Sequence, residues 1–247
     1  MRRGLVGLLL ALAGAAASAG QVQVAVAANM AAPMKKIAAD FARATGHEAV
    51  VVLGSTGKFY AQIKAGAPFE VLLAADDTTP AKLEREGLAV PGTRFTYATG
   101  QLVLWSADPS MVDAKGEVLR QPPRGKLAVA DPKLAPYGAA AMETLTKLGV
   151  LAAWRPQIVQ GESIGQAYQF AATGNAALGF VALAQVMADG RITKGSAWIV
   201  PGTLHAPLKQ DAVLLQTGQS NPAATALVQY LKSDAARATL RGFGYRF

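Results

Sequence analysis

The run Leu53-Gly54-Ser55-Thr56-Gly57-Lys58-Phe59-Tyr60-Ala61-Gln62-Ile63 is the part of the chain best suited to chemistry. It follows the apolar stretch Ala49 to Leu53, which reads as a buried strand, and Phe59, Tyr60 and Ile63 then recur at helical spacing. A strand, a hydroxyl turn and a helix start leave unpaired backbone N–H groups at the positive end of a helix dipole, beside the Ser55 and Thr56 hydroxyls. The flanking glycines let a ligand approach the backbone. Such a turn suits an oxyanion. A nucleotide P-loop would need glycine where Val52 stands and Ser or Thr where Phe59 stands, and the chain has neither. A plain strand-to-helix turn uses the same cap residues, so the anion reading needs support from elsewhere in the chain.

Other chemistries have little material. The chain has no cysteine, which excludes zinc-thiolate sites, thiol nucleophiles and disulfides. Its two histidines, His47 and His205, stand alone among apolar or neutral neighbours and read as surface residues. A hydrolase using Ser55 or Thr56 as nucleophile would lack a placed base. Asp76 and Asp77 follow an apolar strand and precede a helix with Pro80 just inside it, where negative charge is welcome for structural reasons. The formal net charge of +8 favours an anionic ligand or surface. The basic residues are scattered and not interleaved with aromatics, so nucleic acid is not expected as a partner.

Residues 1–20 have the form of a cleavable export signal: Arg2 and Arg3, the apolar run Leu5 to Ala13, then Ala17-Ser18-Ala19. The apolar run is too short to span a bilayer, and a periplasmic location is expected. Beyond it, strand Gln21–Ala27 leads to Ala28-Asn29 and a helix from about Met30 to Ala44, with Met30, Met34, Ile37 and Phe41 on the buried stripe. Asn29 then stands near an N-cap, either as a plain cap or as a ligand. After the hydroxyl turn come strand Phe69–Ala75 and another helix, the alternation of an α/β unit with a parallel sheet. The long β-rich run Phe95–Trp105 has no immediate helix and could cross between two lobes.

A second α/β series follows. Strand Lys126–Ala130 precedes Ala135-Pro136-Tyr137-Gly138 and a helix to Leu148; strand Gln157–Val159 precedes a helix capped by Ser163; strand Ala177–Val181 precedes a helix from Leu183 to about Ala188. Gln210–Gln216 reads as the return crossing, Pro222–Thr239 as one helix, and the aromatic tail Gly242–Phe247 as packed. The expected division is lobe 1 over 21–102 and 211–247, and lobe 2 over 103–210. Ala28-Asn29, Ser55-Thr56, Pro136-Tyr137-Gly138 and Ser163-Ile164 each stand where the chain enters a helix, two in each lobe. A cleft between the lobes could gather all four. Four helix starts at about half a positive charge each would balance a dianion without a lysine or arginine.

These segments resemble, in order and spacing, the periplasmic molybdate-binding proteins of ABC transporters: Val-Ala-Ala-Asn-Met, Gly-Ser-Thr-Gly-Lys-Phe-Tyr-Ala-Gln-Ile, Gly66-Ala67-Pro68-Phe69, Ala135-Pro136-Tyr137-Gly138, Ser163-Ile164-Gly165-Gln166-Ala167 and Leu178-Gly179-Phe180-Val181-Ala182. The resemblance implies a bilobal type II periplasmic binding fold, with two three-layer α/β lobes joined by two crossing strands. It implies a monomer that captures molybdate or tungstate and passes it to permease subunits, with no cofactor and no catalysis. Sulfate or another small oxyanion is the alternative ligand. The implied ligands are the Ala28 backbone, Asn29, the Thr56 hydroxyl and N–H with Ser55 beside it, Tyr137, and the Ile164 backbone N–H. Some similar chains place a liganding tyrosine where Ala182 stands here, so the Tyr137 hydroxyl either contacts the ion or only packs. Donors alone favour a fully deprotonated tetrahedral ion over protonated phosphate. Sulfate would have to be excluded by size.

Overall fold

The computed structural model describes residues 19–247, so nearly all of the expected export segment lies outside the described residues. In chain order the elements are β1 (Gln21–Ala27), α1 (Ala31–Thr45), β2 (Glu48–Gly54), α2 (Thr56–Lys64), β3 (Val71–Leu73), α3 (Thr78–Arg85), β4 (Phe95–Gly100) and β5 (Leu102–Ser106). Then follow β6 (Leu127–Ala130), α4 (Pro136–Lys147), α5 (Leu151–Trp154), β7 (Ile158–Gly161), α6 (Ile164–Ala172), β8 (Leu178–Ala182) and α7 (Leu183–Val186). The chain ends with β9 (Met187–Ala188), β10 (Arg191–Ile192), β11 (Ser196–Ile199), β12 (Leu208–Leu214), α8 (Pro222–Tyr230) and α9 (Asp234–Gly242).

Two five-stranded sheets organise these elements, in the orders β2-β1-β3-β12-β4 and β11-β5-β8-β6-β7. In the first, β1 runs parallel to β2 and β3; in the second, β6 runs parallel to β7 and β8. Each lobe therefore winds from one strand, β1 or β6, to a neighbour on one side and then to a neighbour on the other. The carboxyl ends of β1 and β6, where strand order reverses, are where an open α/β sheet forms a ligand crevice.

Side-chain pattern explains the layers. Val22, Val24 and Val26 of β1 pack with Met34, Ile37 and Phe41 of α1, all fully buried, and each such side chain contributes roughly 1.5–3 kcal/mol. A second core gathers around β6, α4 and α6, including Tyr137, Trp154, Ala167 and Phe180. The α1 stripe and the stop at Gly46 follow the periodic reading.

Several elements differ from the sequence expectation. The Ala49–Leu53 strand is an edge strand: β1 is its one partner, and Val52 and Leu53 are 40% and 49% exposed. The run Phe95–Trp105 is two strands broken at Gln101, β4 in one sheet and β5 in the other, so the break marks the crossing itself. The return enters the first sheet at Leu208, paired with Gly100. The Leu183 helix is a single turn before β9. The helix expected over Pro222–Thr239 is two, because the Ser233 side chain accepts the Ala236 N–H and starts α9 anew. His205 is buried, with Nδ1 2.7 Å from the Ala206 carbonyl oxygen, and His47 is half-buried, its Nδ1 accepting the Gly20 N–H at 3.0 Å. Neither is a surface residue. In the tail, Tyr245 is buried while Phe247 is exposed.

Replacing Ser233 by Ala removes that cap bond and is expected to cost about 1 kcal/mol in urea unfolding. An unchanged midpoint would show that the break between α8 and α9 is set by packing alone.

Candidate functional site

All six residues singled out from the sequence line one void between the two sheets: Ala28, Asn29, Ser55, Thr56, Tyr137 and Ile164. Each is at least nine-tenths buried. The void is small: the space between its atoms, part of it open to solvent, is about 190 Å³, against about 1040 Å³ for the open groove beside it lined by Gly57, Asp76, Leu134 and Lys209. It has room for a small compact species. Ala28 and Asn29 leave the end of β1, Thr56 opens α2 after β2, Tyr137 is the second residue of α4 after β6, and Ile164 opens α6 after β7. Four strand ends thus converge on one point.

The donors follow from position. The N–H groups of Thr56, Tyr137 and Ile164 lie in first helical turns, where no preceding carbonyl can reach them, and they make no hydrogen bond among the described residues. The Thr56 hydroxyl accepts the Ala75 N–H at 2.9 Å, which spends a lone pair and leaves its proton free to donate. Ser55 Oγ and Asn29 Oδ1 are the two buried side-chain polar atoms without a partner among the described residues. Both belong to the wall of this void. Leaving a buried polar group unpaired costs about 1–3 kcal/mol, so two at one place point to a polar ligand.

Asn29 is not the cap of α1. It sits in a 3₁₀ turn, Ala28–Met30, and its side chain makes no cap bond. Instead Asn29 Nδ2 donates to Gln210 Oε1 and to the Tyr245 hydroxyl, each at 2.8 Å. Gln210 Nε2 donates to the Tyr137 hydroxyl at 3.0 Å, and the Tyr97 hydroxyl lies 2.8 Å from Gln210 Oε1 and 2.9 Å from the Ala74 carbonyl. Sequence reasoning missed Gln210, Tyr97 and Tyr245. The available signal was the polar run Lys209-Gln210-Asp211 inside a strand whose other residues are apolar.

The charge balance is unusual for an anion site. Tyr137 is the one titratable residue on the wall, and burial pushes its hydroxyl well above the usual phenol range. Burial does the same to Tyr97 and Tyr245, so all three stay neutral. Lys58 lies at the outer mouth, paired with Glu162 at 2.7 Å with both side chains more than half exposed. Asp76 is partly accounted for as a helix start: its carboxylate accepts the Thr79 N–H at 2.7 Å.

Residues 22–246 match the family described as bacterial extracellular solute-binding protein. The chain belongs to that family. Among its relatives, the molybdate-binding protein ModA of Azotobacter vinelandii is 56% identical over 99% of this chain and 97% of its own length. The molybdate-binding protein ModA of Rhodobacter capsulatus is 53% identical over 93% of this chain and 89% of its own. The solved structure of the Azotobacter vinelandii periplasmic molybdate-binding protein superposes with a TM-score of 0.88, at 40% identity, covering 92% of this chain and 99% of that one. The sulfate-binding protein SubI of Mycobacterium tuberculosis shares the fold at 13% identity and a TM-score of 0.73, covering 92% of this chain and 86% of that one. As in other solute-binding folds, the two lobes of this solute-binding protein meet over the void. The Gly57 N–H donates across the gap to the Leu134 carbonyl at 2.9 Å, and a Cβ at Gly57 would lie 3.0 Å from Leu134 Cα.

That contact is backbone against backbone, so Gly57→Ala is expected to hold the lobes apart. Deuterium uptake over residues 57–59 should rise several-fold in the variant while β1 stays protected. Equal uptake in both proteins would show that the contact does not hold the lobes together.

Proposed function

We propose that this protein is the periplasmic solute-binding component of a molybdate ABC transporter, exported by a cleavable signal at residues 1–20. It closes on one molybdate or tungstate ion and passes it, as a monomer, to permease subunits. Six residues hold the ion: the Ala28 and Asn29 turn, Ser55 and Thr56 at the start of α2, Tyr137 in the first turn of α4 and Ile164 at the start of α6. The reading is carried by the pairing of two orphaned buried polar atoms with a small void whose wall has no lysine, arginine or histidine. The ModA relatives, similar along nearly their whole length, supply the class of ion.

The physics of capture follows. A tetrahedral dianion offers acceptors only, and free N–H and O–H groups offer donors only. Three helix starts add about half a positive charge each, which offsets part of the cost of dehydrating the ion. Protonated phosphate would bring its own O–H against a donor and is penalised. Sulfate has the same charge, and lobe closure rejects it by leaving a smaller ion with stretched hydrogen bonds. Ser55 Oγ has no base within hydrogen-bond reach, which supports carriage over turnover.

Native mass spectrometry of protein offered molybdate, tungstate, sulfate and phosphate together should show one molybdate or tungstate per chain. Retention of sulfate instead would replace the proposed ligand. Ser55→Ala should lose a hydrogen bond to a charged group, about 1.5–3 kcal/mol or roughly a tenfold or greater loss of affinity, without loss of stability. Thr56→Ala should lose both affinity and stability, since the Ala75 N–H is left without its acceptor. With the Tyr137 hydroxyl raised and no other titrating group on the wall, affinity should be flat from about pH 6 to about pH 9. A decline on raising pH through that range would mean that a group on the wall is losing a proton.

A further inference from the structure

Gln210 is a single side chain met by site residues of both lobes. It belongs to β12 in the first sheet, at a bulge between Gln210 and Asp211, and it is fully buried. Its carboxamide touches Asn29 from lobe 1 at 2.8 Å, Tyr137 from lobe 2 at 3.0 Å and Tyr97 at 2.8 Å. The direction of these hydrogen bonds decides what the ion meets.

With Gln210 Oε1 facing Asn29, both protons of Asn29 Nδ2 are spent on Gln210 and Tyr245, and the acceptor Oδ1 is left alone in the wall. Tyr97 then has one proton for two acceptors, Gln210 Oε1 and the Ala74 carbonyl. A carboxamide's oxygen and nitrogen occupy nearly equivalent positions, so turning both amides by half a revolution keeps every distance and reverses the chain. Gln210 Nε2 then donates to Asn29 Oδ1 and to the Tyr97 oxygen, and Tyr97 gives its proton to Ala74. Tyr245 donates to Asn29 Oδ1, and Tyr137 donates to Gln210 Oε1. Asn29 Oδ1 is then no longer left alone, the Asn29 carbonyl gives up its longer contact with the Tyr245 hydroxyl at 3.3 Å, and the Asn29 NH₂ group takes the position in the wall that Oδ1 would otherwise hold.

We propose that Gln210 is a positioning residue that turns the Asn29 side-chain NH₂ toward the bound oxyanion and draws the Tyr137 hydroxyl proton away from it. Tyr137 then meets the ion through its backbone N–H alone. Its hydroxyl is directed at the crossing, where a Cβ on Gly100 would collide with both Tyr137 Oη and Gln210 Nε2. The inference rests on the molybdate reading of the void.

Calorimetric titration of molybdate into wild type, Asn29→Ala, Gln210→Met and the double variant tests it. Asn29→Ala and Gln210→Met should each lose roughly tenfold in affinity, as for a lost hydrogen bond to a charged group, and the double variant should lose no more than the weaker single. Losses that multiply in the double variant, or an unchanged affinity in Gln210→Met, would overturn the proposal. Should Gln210→Met fail to fold, nuclear magnetic resonance of the Asn29 side-chain amide in wild type replaces it. Its protons should shift downfield on adding molybdate, and an unmoved resonance would refute the assignment. A wild-type protein that binds no molybdate at all defeats the reading of the ligand, a different outcome from any of these.

Discussion

A dianion taken out of water into a buried site must be met by donors already aimed at it, because here no countercharge lies on the wall. Dehydrating an ion costs many kcal/mol unless hydrogen bonds replace its water, so the site works only if the backbone holds those donors fixed. Helix first turns are the cheapest source. Their N–H groups are unpaired by geometry, and the helix behind each one adds field of the right sign.

The topology brings those turns together. Each sheet has one strand flanked by two parallel neighbours, β1 between β2 and β3 in one and β6 between β8 and β7 in the other. Helices therefore begin at the carboxyl ends of adjacent parallel strands, two in each lobe, and the lobes face each other across these ends. The crossing at Gln101 and the return at Leu208 lie next to the network of Asn29, Gln210, Tyr97, Tyr137 and Tyr245. The crossing strands and the wall of the void thus share one set of hydrogen-bonded side chains.

Much of this was legible in the chain because it depends on local signals. Hydroxyl turns after apolar runs, Pro136 at a helix start and Ser163 as a cap each betray a helix beginning, and those beginnings line the void. The exposure of β2 was not legible: Val and Leu read as core, and nothing local says that a strand has a partner on one side only. The split of Pro222–Thr239 at Ser233 was missed because apolar spacing continues through it. Gln210 was missed for a deeper reason. Its partners lie 181, 113 and 73 residues away, and a buried polar network is a property of assembled sheets that no periodicity encodes. The Tyr137 hydroxyl was left open between ligand and packing, and its contacts with Gln210 give it a third place, in the hinge network.

The central claim, that uncharged donors from both lobes surround the ion, is tested most directly by anomalous scattering from crystals grown with tungstate. The account predicts one strong peak inside the void, within hydrogen-bond distance of the Thr56, Tyr137 and Ile164 N–H groups and the Ser55 hydroxyl, with no lysine or arginine in contact. A peak at Lys58 on the outer mouth, or in the open groove beside Asp76 and Lys209, would contradict it.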